Sequence, residues 1–491
     1  MFLRRIGVKY HNLSIQVKAS LWFVVCSVLQ KGISVLTTPI FTRLLTTSEY
    51  GNYNVFNSWL GILTPIISLN LCAGVFSQGL VKFDNDRHKF SSSLQGLTLV
   101  LITLWTIVYL ANKNFWNNLF SLSTIQVLFM LGLIWTSSVF GFWSSNQRVT
   151  YKYKALIIVT LITSVLKPLF GVVLVIHSSD KVLARIFGIF IVEMMCYLWL
   201  AIYQFYKGKC FFSWKYWSYS ILFNLPLIPH YLSQTILNDA DRIMIKEMVG
   251  ESFAGIYSLA YSLAIIMLLF NAAFMNVLSP WIYTKIKEKK LEPIGKISYI
   301  CLFIIATVNL LLIIIAPELV MLFAPSEYYE AIWIIPPVAM SSFFIFLYDL
   351  FAKFEFYFEK TKFIMIASVL GALLNIILNY FFINAFGYIA AGYTTLICMI
   401  MYSAGHYLFM RIICKKYLDD YRVYNLRLII FISTLFCALG FLFMFFYSFL
   451  LIRVLLVILF MTVFAVFGKK IKIKLAKYFG EIGNKRKESF D

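Results

Sequence analysis

Arg43-Leu44-Leu45-Thr46-Thr47-Ser48-Glu49-Tyr50-Gly51-Asn52-Tyr53 follows the first long apolar stretch of the chain. Arg242-Ile243-Met244-Ile245-Lys246-Glu247-Met248-Val249-Gly250-Glu251-Ser252-Phe253-Ala254-Gly255-Ile256-Tyr257 follows the seventh. Gly51 recurs as Gly255 and Tyr53 as Tyr257, both at a separation of 204, whereas the two arginines stand 199 apart, so the second copy carries a five-residue insertion. The charged loops at 82–89 and 285–296, and those at 148–154 and 353–362, keep a similar period near 205. The chain therefore reads as a unit of about 205 residues used twice, with a remainder.

Composition says what surrounds those units. Of 491 residues, 61% are apolar and only 13% charged, and the mean hydropathy is +0.82. A soluble chain carries about a quarter charged residues, so a soluble globular enzyme is excluded. The net charge of +21 could suggest nucleic acid, but the charges interrupt long apolar runs instead of forming solvated faces. Membrane lipids are the expected surroundings, with no nucleic-acid partner.

A helix needs about 20 mostly apolar residues to cross a bilayer. Fourteen windows qualify, at 20–42, 53–76, 92–111, 119–143, 155–177, 183–206, 217–238, 253–281, 297–323, 330–351, 363–383, 387–410, 427–448 and 450–468. With the N-terminus inside, the inner segments hold 34 Lys and Arg and the outer ones 7, with Lys31 and Lys167 left inside spans. That imbalance follows the positive-inside rule and places both termini in the cytoplasm. The expected fold is an all-α polytopic membrane protein with about 14 transmembrane helices, in which two parallel six-helix repeats enclose a central cavity and two C-terminal helices stand outside. The corresponding divisions are a cytoplasmic N-terminal segment 1–19, a first bundle 20–210, a second bundle 211–415, two accessory helices 416–468 and a basic cytoplasmic tail 469–491.

Ionisable groups inside spans are costly and mark candidate sites. Lys31 falls at the middle of the first span, Lys167 beside Pro168 in the fifth, and Glu193 at the centre of the sixth. Asp349 lies one turn before Lys353, an arrangement that an ordinary i,i+4 pair explains, and His230 follows Pro226 and Pro229 in the seventh. Arg43 and Arg242 end the first helix of each repeat, which places them at the cavity mouth, with Asp239 and Asp241 available to pair with Arg242. Asn375 and Asn379, one turn apart, read as interhelical hydrogen-bonding groups. Eight scattered cysteines form no C-x-x-C or Cys/His cluster, so no metal site is expected, and no G-x-x-x-x-G-K-[ST] provides for ATP.

The run Thr38-Pro39-Ile40-Phe41-Thr42-Arg43 through Gly51-Asn52-Tyr53 resembles the first-span signature of bacterial polysaccharide repeat-unit flippases, the Wzx-like branch of the multidrug/oligosaccharidyl-lipid/polysaccharide exporter superfamily. Asp241-Arg242 through Gly255-Ile256-Tyr257-Ser258-Leu259-Ala260 is similar to the matching segment of the second half, and Asn375 with Gly387-Tyr388-Ile389-Ala390-Ala391-Gly392 to the span eleven to twelve pattern. The resemblance implies a non-enzymatic carrier in the bacterial inner membrane. It would move an undecaprenyl-pyrophosphate-linked oligosaccharide outward by alternating access for O-antigen or capsule assembly, beside a polysaccharide polymerase and a chain-length regulator. Lys31 and Lys167 would then receive the pyrophosphate and Arg43 and Arg242 would guide its exit. Glu193, Asp349 and His230 are the candidate coupling sites for a proton or sodium gradient, and no cofactor is expected. A drug/cation antiporter and a peptidoglycan lipid-precursor flippase share the expected fold. A polytopic polymerase or ligase is disfavoured, because such enzymes usually present a large external catalytic loop.

Overall fold

The computed structural model describes residues 14–462 and 466, and every described segment of regular structure is helical. The tail at 469–491, most of the N-terminal segment and the end of the fourteenth window lie outside the described residues. The chain divides into two compact units, Met1–Gly255 and Ile256–Asp491.

The first unit is built from α1 (Ile15–Leu44), α2 (Thr47–Ile67), α3 (Val75–Lys82), α4 (Arg87–Ala111), α5 (Lys113–Phe120), α6 (Thr124–Val149), α7 (Tyr153–Ile176), α8 (Lys181–Gly208), α9 (Trp214–Asn224), α10 (Ile228–Met248) and the start of α11 (Glu251–Ala264). Short polar caps fix the starts. Thr46 accepts a hydrogen bond from the Glu49 backbone N–H at 3.2 Å while the Glu49 carboxylate accepts from the Thr46 N–H at 2.8 Å, and Ser123 with Gln126 repeats this reciprocal box ahead of α6. Pro226 and Pro229 interrupt the seventh window, so α9 and α10 are joined by a tight 3-10 turn at Leu225–Leu227.

The second unit continues with α12 (Met267–Lys287), α13 (Glu292–Ile314), α14 (Ala316–Phe323), α15 (Ile335–Tyr357), α16 (Thr361–Phe386), α17 (Ala390–Tyr417), α18 (Leu426–Met444) and α19 (Leu450–Thr462). Its densest contact is between α15 and α17. The interhelical role expected of the asparagines is met by Asn379, whose bond to Asn375 stays within α16. Asn379 donates to Asn375 Oδ1 at 3.3 Å and accepts from the Thr394 hydroxyl of α17.

Among the described residues, eleven segments are long and apolar enough to cross a membrane. The remaining three windows are helical but fall short for different reasons. Helix α2 carries Glu49, Asn52, Asn54 and Asn57, α9 and α10 are broken by prolines and carry Asp239, Asp241 and Arg242, and the fourteenth window is described only in part, over Leu450–Thr462 and 466. The two polar helices α2 and α10 pack along each other, so their polar faces are turned to protein rather than hydrocarbon. That packing holds the seventh span in the first compact unit, whose limit at 255 is a different division from the repeat boundary at 210.

At one end of this unit the starts of α2 and α11 meet. The Thr47 and Ser252 hydroxyls share a hydrogen bond, and Ser48 donates to the Glu251 carboxylate at 2.6 Å. A Cβ at Gly51 would fall on the carbonyl oxygen of Glu251, and one at Gly255 on that of Thr47. Only glycine lets the two backbones approach this closely.

Candidate functional site

In the first unit, α1, α2, α7 and α8 surround a cavity of about 220 Å³. Gln30, Ile33, Ser34, Thr37 and Phe41 supply one wall, at the three- and four-residue spacing that lines up one face of α1. Tyr53 comes from α2, Ser164, Lys167 and Pro168 from α7, and Arg185 and Ile189 from α8.

Helices α7 and α8 cross closely enough that a Cβ at Gly188 would lie 2.9 Å from the Gly171 Cα. One turn beyond this crossing, Lys167 Nζ meets Glu193 Oε1 at 2.6 Å, and the other carboxylate oxygen accepts the Thr136 hydroxyl of α6. Glu193 is 7% exposed, so its charge is held by those two partners instead of by water. The Lys167 ammonium also stands 5.7 Å from the centre of the Tyr197 ring. Gly188→Val is expected to lower stability by about 1–3 kcal/mol through forced separation of α7 and α8. Gly405→Ala, where a Cβ meets nothing within 4 Å, is the neutral control. Thermal melting in detergent distinguishes the two.

The second cation was missed in the sequence. Arg185 lies between aromatic faces, its guanidinium carbon 3.4 Å from the Tyr53 ring centre and 3.8 Å from that of Phe41. It belongs to the second turn of α8, not to the preceding loop. The sign that could have found it is its position inside the apolar window 183–206, where a charge needs a partner. One turn earlier Lys181 donates to the Leu44 carbonyl at 3.0 Å, tying the end of α1 to α8 where the helix dipole favours a cation.

The other expected site residues are placed apart from this cavity. Lys31 follows Gln30 but lies off its lining stripe and is exposed. Arg43 donates to the Pro39 carbonyl of its own last turn at 2.9 Å, and Arg242 pairs with Asp239 at 2.6 Å. Neither arginine lines the cavity. His230 is half-buried in the first turn of α10, beside the Tyr231 ring. In the second unit, Asp349 makes the i,i+4 contact with Lys353 at 2.6 Å.

A second ionisable pair also escaped the sequence reading. His406 of α17 and Glu355 of α15, both fully buried, stand 2.8 Å apart, with the imidazole flanked by the rings of Tyr348 and Tyr402. Glu355 falls within the charged loop read at 353–362, whereas α15 runs on to Tyr357.

Spans of this number, with a charged and hydroxyl-lined cavity inside a helical unit, define a multi-pass membrane protein. Residues 17–285, more than half of the chain, match the family described as "Polysaccharide biosynthesis protein". The chain belongs to that family, and the resemblance read from Thr38–Tyr53 is borne out at that level. A protein of the Lsg locus of Haemophilus influenzae is 23% identical over 379 residues, covering 73% of this chain and 89% of that protein. Among solved structures, the lipid II flippase MurJ in an inward closed conformation superposes with a TM-score of 0.65 at 16% identity, over 87% of this chain and 99% of that one. An inward-facing multidrug resistance MATE transporter of the MOP superfamily gives 0.58 at 14% identity, over 78% and 94%. At such identities these two likenesses concern the fold.

Proposed function

We propose that the protein is a flippase that carries undecaprenyl-pyrophosphate-linked oligosaccharide repeat units across the bacterial inner membrane by alternating access, for O-antigen or capsule assembly, without catalysing a reaction. Membership of a polysaccharide biosynthesis family supports the cargo class, and the shared fold with a lipid II flippase supports the mode of action. The observation that carries the reading is the cavity holding Lys167 and Arg185 beside the hydroxyls of Ser34, Thr37 and Ser164.

A lipid diphosphate is far too costly to move through hydrocarbon bare. Arginine offers a planar donor fork to phosphate oxygens, and lysine a mobile point charge. Glu193 balances Lys167 while the cavity is empty; arrival of an anionic headgroup competes with that carboxylate, and protonation of Glu193 frees the lysine. Glu193 is thus the proposed proton-coupling group. A cationic drug would meet like charge, since two cations and one carboxylate stand here.

The test is translocation of lipid-linked oligosaccharide by the purified protein in liposomes. Wild type is expected to move it, and Arg185→Ala to lose at least about tenfold in rate, the equivalent of one lost charge-assisted contact. Absence of translocation by the wild-type protein, or full activity of Arg185→Ala, overturns the reading.

A further inference from the structure

The second unit contains a groove that the proposed transport route does not use. Helices α15, α17 and α18 enclose an apolar space of about 660 Å³, walled by side chains such as Phe344, Phe351, Ala404, Leu408 and Ile430. At one end it runs into a second space of about 660 Å³, with which it shares Tyr407 and Leu426. The walls change character there: Arg411, Arg422 and Arg427 line the second space. Asp420 neutralises Arg411 at 2.5 Å, and Asp419 lies exposed nearby, but among the described residues neither Arg422 nor Arg427 forms an ion pair.

From Leu426 to Ala438, the reach of the apolar wall along α18, the helix rises about 18 Å at about 1.5 Å per residue. Half of a hydrocarbon core of about 30 Å is about 15 Å. The groove is therefore one leaflet deep, with its basic end where the Lys/Arg distribution puts the cytoplasm. A topological role for these arginines requires only that they lie on that side; it does not require them to converge at the mouth of an apolar groove.

We propose that this is a binding site for an anionic phospholipid of the cytoplasmic leaflet, one acyl chain in the groove and the phosphate between Arg422 and Arg427. Basic pockets between transmembrane helices on the cytoplasmic side select such headgroups. The single-leaflet depth fits an ordinary acyl chain, and the two unpaired guanidinium groups fit one phosphate.

The full-length protein, stripped of lipid in detergent, is offered equal amounts of phosphatidylglycerol and phosphatidylcholine with the same chains, and retained lipid is read by native mass spectrometry. Wild type is expected to keep phosphatidylglycerol about tenfold over phosphatidylcholine. The exposed double variant Arg422→Gln/Arg427→Gln should lose that preference without a change in melting temperature. Ala404→Trp, which fills the groove, should lose retention of the lipid altogether; if it does not fold, the arginine variant decides. Equal retention of the two lipids, or an unchanged preference in the arginine variant, overturns the proposal. So does displacement of phosphatidylglycerol by inorganic phosphate, because the groove would then contribute nothing.

Discussion

Gly51→Leu is expected to force the starts of α2 and α11 apart. At most packed positions an added side chain costs about 1–3 kcal/mol because neighbouring side chains shift. The obstacle at Gly51 is a backbone carbonyl in the first turn of another helix, so no rotamer change relieves it. The loss should therefore reach about 3 kcal/mol or more. A direct readout is a cysteine pair at Thr47→Cys and Ser252→Cys, whose parent hydroxyls are hydrogen-bonded. Oxidation should join the pair readily, and adding Gly51→Leu should abolish the crosslink. An unchanged crosslink and melting temperature in Gly51→Leu would show that the close approach is not needed.

His406→Ala should be the most destabilising single change in the second unit, at about 3–5 kcal/mol. It removes a ring packed between Tyr348 and Tyr402 and leaves Glu355 buried without its partner. Both residues are fully buried, so water cannot take over the interaction. The pair is nevertheless expected to be replaceable. Glu355→Leu combined with His406→Phe removes both polar groups and keeps the volume, and should recover most of the loss. Thermal unfolding of the two variants in one detergent checks this; equal destabilisation by both would mean that packing, not charge, is what the pair supplies.

The membrane architecture was readable because spacing and hydropathy speak directly about hydrocarbon. The windows that fall short of a full apolar span still passed a scan for about 20 mostly apolar residues, and two of them are polar because they pack on each other. The cavity was half legible. Lys167 and Glu193 stood out as charges within apolar runs, but nothing in linear sequence says that Gly171 and Gly188 bring them together. Arg185 and Glu355 were missed for one common reason. Both lie in the outer turns of helices, where a count of loop charges absorbs them, and only tertiary packing shows that one is enclosed by rings and the other is buried. Lys31 shows the converse. Depth along a span was evident from sequence, but the face it occupies is set by which stripe of α1 packs on α7.

Residue 51 meets the carbonyl of residue 251, while residue 255, its counterpart 204 positions on, meets the carbonyl of residue 47, the counterpart of 251. A contact that maps onto itself when the two copies are exchanged is the mark of an isologous interface, the kind formed by a protein with a second molecule of itself. The junction of α2 and α11 therefore has, within one chain, the two-fold symmetry of an isologous contact, and Thr47–Ser252 and Ser48–Glu251 exchange in the same way. The five extra residues after Arg242 break the match between the two copies elsewhere, while both glycines face the same obstacle, a backbone carbonyl.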